Sequence, residues 1–280
     1  MGESLIRPFA AVRPRPELAA RIGAPPYDVV SKEEARRLAA DNPWSFLRVS
    51  RPEIELPDET DPYAPEVYER GRVRFEGLLR SGALVQDAEP AYYLYRLRVG
   101  THEQLGLVAV ASCEAYLRGA IRKHELTRPD KEEDRTRHIE VLQAQTGPAY
   151  LIYRAMPVLD AYLAGRTRAV PEVDFEDEDG VRHAVWRVSD EDGIRFIDRQ
   201  FGAIERLYIA DGHHRTAAAA RVYQRRGGAG QSGFFLAVLF PHDQLRILPY
   251  HRLVRDLGGL SEAEFLRSLE AVGEVGPGTG

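Results

Sequence analysis

Apolar and polar positions alternate along the chain in two rhythms, and each rhythm marks a kind of element. Period-two alternation is clearest in "AYYLYRLRV" (91–99), where Tyr93, Tyr95, Leu97 and Val99 share one face of a strand. The next run, "QLGLVAVASC" (104–113), is apolar almost throughout, which predicts a central strand joined to the first near Gly100-Thr101. "WSFLRVS" (44–50), "AYLIYRA" (149–155), "RLYIA" (206–210), "FFLAVLF" (234–240) and "LRILPYHRLV" (245–254) read as further strands, and 169–188 reads as a hairpin about the turn "EDEDG".

Helical signals fall between these runs. "SKEEARRLAADNP" (31–43) has a capping box, Ser31 with Glu34, and stops at Asn42-Pro43. A helix over Ala64–Arg80 carries Val67, Phe75, Leu78 and Leu79 and ends at Gly82. A charged helix over 127–147 has Pro129 in its first turn and Gly147 past its end. Shorter helices are predicted at 16–23, 158–166 and 192–202, another runs from residue 211 to about Arg226, and a last one is started by Ser261 and Glu264. "APPYDVV" (24–30) is held extended by its two prolines, and "GGAGQSG" (227–233) is a flexible loop. Helices and strands alternate but hairpins intervene. The pattern therefore predicts an α+β fold, a mixed sheet with flanking helices, rather than a regular doubly wound one. One elaborated domain is expected over 1–272, with a candidate sub-boundary near 85–90, and 273–280 is expected to be a flexible tail.

Composition narrows the class. With 44% apolar and 29% charged residues, the 280-residue chain has the make-up of a soluble globular protein. The net charge of −5 argues against a nucleic-acid partner. The single cysteine, Cys113, follows an apolar run and reads as a buried small residue; it excludes an internal disulfide and any cysteine-rich metal site. No run is long enough to span a bilayer and no secretory signal is visible, so a cytoplasmic protein is the default expectation.

The chemistry concentrates in "LYIADGHHRTAAAARV" (207–222). A strand that ends at Asp211-Gly212 and at once begins a helix is a natural anion site, because the helix N-terminus presents unpaired N–H groups and a partial positive charge. Gly212 permits a sharp turn, His213 and His214 offer donors or a proton, and Arg215 offers a bidentate clamp on phosphate oxygens. Cations are unfavourable in a first helical turn unless an anion receives them. The plain alternative has Asp211 capping the helix, the histidines satisfying buried backbone groups and Arg215 solvated. A second constellation lies in 121–138. There Lys131, Asp134, Arg135 and His138 share a helix face, behind Lys123, His124 and Glu125 in a loop; a solvated, salt-bridged face is the plain reading. In "APPYDV", Asp28 is either a helix cap or a carboxylate on a stiff loop, usable as a base or metal ligand. In "ILPYHRLV", strand alternation separates Tyr250 and Arg252 from His251.

"APPYDVVSKEEAR", "NPWSFLRVSRPE", "KHELTRPDKEEDR", "YIADGHHR" and "ILPYHRLV", in this order over nearly the whole chain, resemble the DUF1015 family of bacterial and archaeal proteins. Members of that family are usually longer at the C-terminus, so the resemblance implies a further C-terminal portion. The Asp-Gly-His-His-Arg corner is similar to the phosphate-binding corner of the ParB/sulfiredoxin superfamily, which includes partition proteins, sulfiredoxin and a free serine kinase. That resemblance implies a ParB/sulfiredoxin-like core with elaborations, and phosphate or nucleotide contacts from Gly212, His213, His214, Arg215 and Thr216, with Lys123, His124 and Arg135 as further candidates. Asp211, His213, Glu125 and Asp28 are the candidate catalytic groups. Family association with serine-biosynthesis genes makes serine or phosphoserine the first substrate candidate. The leading expectation is phosphoryl transfer on a small metabolite, with Mg²⁺ and ATP or ADP as cofactors and the direction, kinase or phosphatase, left open. The expected partners are a phosphorylated small molecule or a nucleotide, with no membrane; self-association is left open. The alternatives are a non-catalytic nucleotide-binding regulator and a metal-dependent hydrolase using His124, Asp134 and His138. The leading reading requires three segments far apart in sequence to meet in one pocket.

Overall fold

The near-continuous apolar run at 104–113 becomes the centre of a mixed sheet. A computed structural model describes residues 4–228, 230–247 and 253–277. In chain order the strands are β1 (Ile6–Arg7), β2 (Val12–Pro14), β3 (Leu84–Gln86), β4 (Tyr92–Val99), β5 (His102–Ser112), β6 (Ile121–Arg122), β7 (Ala149–Tyr153), β8 (Val173–Glu176), β9 (Arg182–Val188), β10 (Leu207–Asp211) and β11 (Phe234–Pro241). Between them run α1 (Ala19–Ile22), α2 (Lys32–Ala39), α3 (Leu47–Ser50), α4 (Pro65–Arg80), α5 (Cys113–Leu117), α6 (Pro129–Leu142), α7 (Pro157–Arg166), α8 (Glu191–Phe201) and α9 (His213–Arg225), followed later by α10 (Glu262–Leu269). The main sheet has the order β6-β10-β7-β11-β5-β4-β9-β8, with β1 also paired to β5; β2 and β3 form a separate ribbon. The β10–β6 and β11–β7 pairs are parallel and the others antiparallel, so the protein is α+β with a mixed sheet and flanking helices.

Burial follows the sequence pattern. Leu107, Ala109 and Ala111 of β5 and Ala237 and Leu239 of β11 are fully enclosed, with Leu151, Tyr153, Phe201 and Leu207 in the same core. Gly106 makes room for the Phe240 ring, since a Cβ there would lie 2.7 Å from it. The small residues of α9 are packed inside: Ala217, Ala218, Ala219 and Ala220 are buried. Cys113 is buried, and its thiol is pushed up to about 12 by desolvation, which suits a packing residue. The capping boxes at Ser31 and Ser261 form as predicted.

Three local expectations change. "WSFLRVS" is a short helix, α3, with its preceding turn. The Arg48 side chain donates to the carbonyls of Asn42 and Ala39 and pairs with Glu55, and these local bonds hold the segment in a turn that strand propensity cannot oppose. Helix α6 ends at Leu142, five residues before Gly147, because Gln143 takes the left-handed conformation (φ 53°). Gly147 has a different task, described below. The strand expected at 245–254 is absent from 245–247, and Tyr250, His251 and Arg252 lie outside the described residues. The chain separates into two compact units, one up to Leu245 and one from Arg246 onward, and position 85–90 falls inside the first. No helix among the described residues is long and apolar enough to cross a membrane.

Candidate functional site

Three segments meet at the C-terminal end of β10. The loop before α2 brings Tyr27 and Asp28, the loop and first turns of α6 bring Glu125, Arg128, Lys131 and Arg135, and the strand–helix corner brings Asp211 to Arg215. Together with Tyr63 and Tyr68 they line a cleft of about 640 Å³. All of these residues belong to the first compact unit.

The corner is built around Gly212. Its φ of 87° is left-handed, and a Cβ there would lie 3.1 Å from Ala149 Cα and 3.2 Å from Arg215 Cζ, so only glycine fits. Gly212 is also the N-cap of α9, and it has no side chain to cap with. Asp211, the cap in the plain alternative, makes no capping bond and turns instead to Arg215. The helix therefore begins with uncapped N–H groups and no acidic residue in its first turn.

The side chains of that turn are only partly satisfied. His214 Nε2 accepts a hydrogen bond from the Arg128 N–H at 3.1 Å, which fixes the start of α6 against the corner. His213 is 4% exposed, and its Nε2 is buried without a partner. Its Nδ1 stands 3.6 Å from Glu125 Oε2, too long for a hydrogen bond. Burial, and then the neighbouring His124, lower the His213 pKa and favour the neutral ring. The His124 ring packs edge-on at 4.5 Å between centroids.

Arg215, the expected phosphate clamp, has its guanidinium engaged within the protein. Its side chain is 12% exposed, Nη1 donates to the Pro148 carbonyl, and Nη2 lies 2.5 Å from Asp211 Oδ2 and 3.8 Å from Asp28 Oδ2. Gly147 makes room for it: a Cβ there would meet Arg215 Cδ at 3.2 Å. The guanidinium thus joins two carboxylates whose residues are far apart in sequence, and its Nε is buried without a partner.

Helix α6 forms the opposite wall. Asp134 is buried, accepts from Tyr68 Oη at 2.9 Å and from Arg135 Nε at 2.9 Å. Arg135 in turn lies over the Tyr27 ring at 4.1 Å, a cation–π contact. Burial raises the Tyr27 phenol to about 12, so it stays protonated. Arg51 ties the Tyr27 loop down by donating to the Tyr27 and Val30 carbonyls at 2.6 Å each. His138 is a buried part of this wall, with Nε2 3.0 Å from the Val49 carbonyl, and desolvation pushes its pKa down to about 4.

The expected residues therefore divide. Asp28, Glu125, Arg135, Asp211, Gly212, His213, His214 and Arg215 line one cleft, and His124 packs on its edge. Two do not reach it. Thr216 is fully buried and its hydroxyl donates to the Gly212 carbonyl at 3.0 Å, a helix-internal bond. Lys123 is exposed, with Nζ 5.6 Å from the centroid of the Tyr116 ring. The grouping of His124, Asp134 and His138 does not form, since His138 is committed to a backbone carbonyl and Asp134 to Tyr68 and Arg135; among the described residues no three His, Cys, Asp or Glu side chains are arranged to hold a metal. Tyr27, Arg51, Tyr63 and Tyr68 were not expected in the site. Tyr27 is marked only by its place beside Asp28 in the proline-stiffened loop, and the contacts of the other three are made across the fold.

Fold and site together define an α+β protein with a charged cleft at a strand–helix corner, walled by a second helix and a proline-stiffened loop. The profile of the family described as "Protein of unknown function (DUF1015)" matches residues 6–279, and the chain belongs to that family. No curated protein and no solved structure matches it.

Proposed function

We propose that the cleft binds phosphate groups and carries out phosphoryl transfer on a small metabolite, with serine or phosphoserine as the first candidate and ATP or ADP as the nucleotide. The observation that carries this reading is the convergence of the three segments on the uncapped N-terminus of α9. Unpaired N–H groups and a helix dipole favour an anion there, and the neutral His213 has an unpartnered Nε2 in the same turn. The cleft volume lies within the usual range of roughly 300–1,000 Å³ for small-molecule sites.

Asp28 and Asp211 also suit Mg²⁺, which takes one or two carboxylates and completes its shell with water and phosphate oxygens. Both carboxylates approach Arg215 Nη2, and both remain partly exposed, at 41% and 64%. When bound, the ion would neutralise charge on the transferred phosphoryl group. The protein's own groups do the rest. The α9 N-terminus orients the phosphate, Glu125 accepts a hydroxyl proton, and the Tyr27–Arg135 stack forms one wall of the cleft.

The test is turnover with Mg²⁺ and ATP or ADP plus serine, and separately with phosphoserine. Asp211→Asn and Glu125→Gln are expected to lower kcat by about 10²-fold or more. Absence of turnover in both directions, with nucleotide still bound, would leave a binding protein without this chemistry.

A further inference from the structure

Among the described residues the cleft holds five fixed cations, and four of them are already engaged. Arg51 is bonded to Glu53 at 2.6 Å and to two carbonyls, Arg128 to Asp130 at 2.7 Å, Arg135 to Asp134 at 2.8 Å, and Arg215 to Asp211 at 2.5 Å. Lys131 is the exception among the described residues. Its Nζ has no carboxylate partner; it donates to the Tyr63 hydroxyl at 3.2 Å and stands 5.8 Å from the centre of that ring. A hydroxyl and a ring face leave most of an ammonium's charge uncompensated, and its remaining protons free.

Its position is equally specific. The Arg128 N–H is bonded to His214 in the first turn of α9, so Lys131 stands one helical turn along α6 from the corner. The corner itself supplies the second observation, the buried His213 with its unpartnered Nε2. We propose that Lys131 is the cation that contacts the bound anion, and that Arg215 is an internal strut that sets the Asp28–Asp211 pair. This rests on the phosphate-binding reading of the cleft and changes its division of labour. Arg215, seated between Gly147 and Gly212 and bonded to Pro148, holds the site together; Lys131 meets the ligand.

The test is calorimetric binding of ATP, ADP and inorganic phosphate to the full chain, with no catalytic readout. Lys131→Ala is expected to weaken the tightest-binding of these by about tenfold or more, the loss of one charge-assisted contact. Lys131→Arg should restore most of the affinity, and Lys131→Gln should not. Both should leave the thermal midpoint near that of the parent, since Lys131 has no ion pair to lose. Raising the salt concentration should weaken the parent more than Lys131→Gln. If Lys131→Ala and Lys131→Gln bind as the parent does, the assignment to Lys131 is wrong while the phosphate reading stands. If the parent binds none of the three ligands, the phosphate reading fails and takes the assignment with it.

Discussion

Replacing Gly212 by alanine should unfold the corner, and the size of the effect follows from the geometry. Two costs act together. An L-residue held at φ 87° loses about 1–2 kcal/mol against glycine. The new methyl would also sit 3.1 Å from Ala149 Cα, a backbone atom of β7 that cannot swing aside, and such overpacking costs about 1–3 kcal/mol. The sum is roughly 2–5 kcal/mol. Helix α4 provides internal controls. Gly71 faces the Val49 carbonyl at 3.1 Å and Pro52 at 3.2 Å, so Gly71→Ala should destabilise by about 1–3 kcal/mol. Gly77 has no atom within 4 Å of its Cβ position, so Gly77→Ala should stabilise by about 0.5–1 kcal/mol through helix propensity alone. Urea midpoints at unchanged slope measure all three. The order Gly77→Ala above the parent, with Gly71→Ala and Gly212→Ala below it, is the expected result. A Gly212→Ala protein as stable as the parent would refute the left-handed corner, and with it the account of an uncapped α9.

Two further outcomes concern buried polar groups. His138 is pushed down to about 4 by burial, below its unfolded value of about 6.5, so the unfolded chain binds the proton first. Its stabilising contribution is therefore complete above pH 6.5 and declines as pH falls towards 4, by about 3 kcal/mol in all; unfolding free energies measured across this window should show that slope, and His138→Gln should flatten it. Tyr68→Phe removes one partner of the buried Asp134, leaving Arg135 to hold it, and should cost about 1–3 kcal/mol in denaturant unfolding; an unchanged midpoint would mean that Asp134 does not depend on the tyrosine.

What the sequence disclosed and what it withheld divide along a physical line. Element types followed from periodicity because burial on one face is a local demand: β4 and β5, the caps at Ser31 and Ser261, and the strand-to-helix turn at Gly212 all appear where expected. "WSFLRVS" misled because Phe, Leu and Val fit a strand, while the determinant was the reach of Arg48 to Asn42, Ala39 and Glu55. The meeting of the three polar segments was legible, since a cation-rich first helical turn and a stiff Pro-Pro loop are both locally unusual. The contacts within the site were not. The sequence around Arg215 suggests a phosphate clamp but does not show its partners Pro148 and Asp28, which come from distant segments. Gly147 looked like a helix terminator because glycine so often is one; here a left-handed Gln143 ends α6 and Gly147 seats an arginine.

A cleft with as many carboxylates as cations could be nothing more than a lattice of internal ion pairs, and the two possibilities make different demands. An internal lattice gains nothing from leaving polar atoms dry, because each buried unpartnered group costs about 1–3 kcal/mol. In this protein, four buried side-chain polar atoms lack hydrogen-bond partners among the described residues: Ser4 Oγ, Arg187 Nε, His213 Nε2 and Arg215 Nε. Two of the four fall within one turn of α9, at a helix start that no side chain caps. Glycine at 212 removes even the option of a side-chain cap, and the nearest carboxylate, Asp211, is turned to Arg215 instead. Unpartnered polar atoms are thus concentrated at the helix start whose free N–H groups would meet the proposed anion. The surrounding ion pairs, by contrast, are nearly closed, and among the described residues of the cleft Lys131 is the fixed cation without a carboxylate partner. This concentration, more than the charge count, is what supports the proposed anion site over a salt-bridged wall.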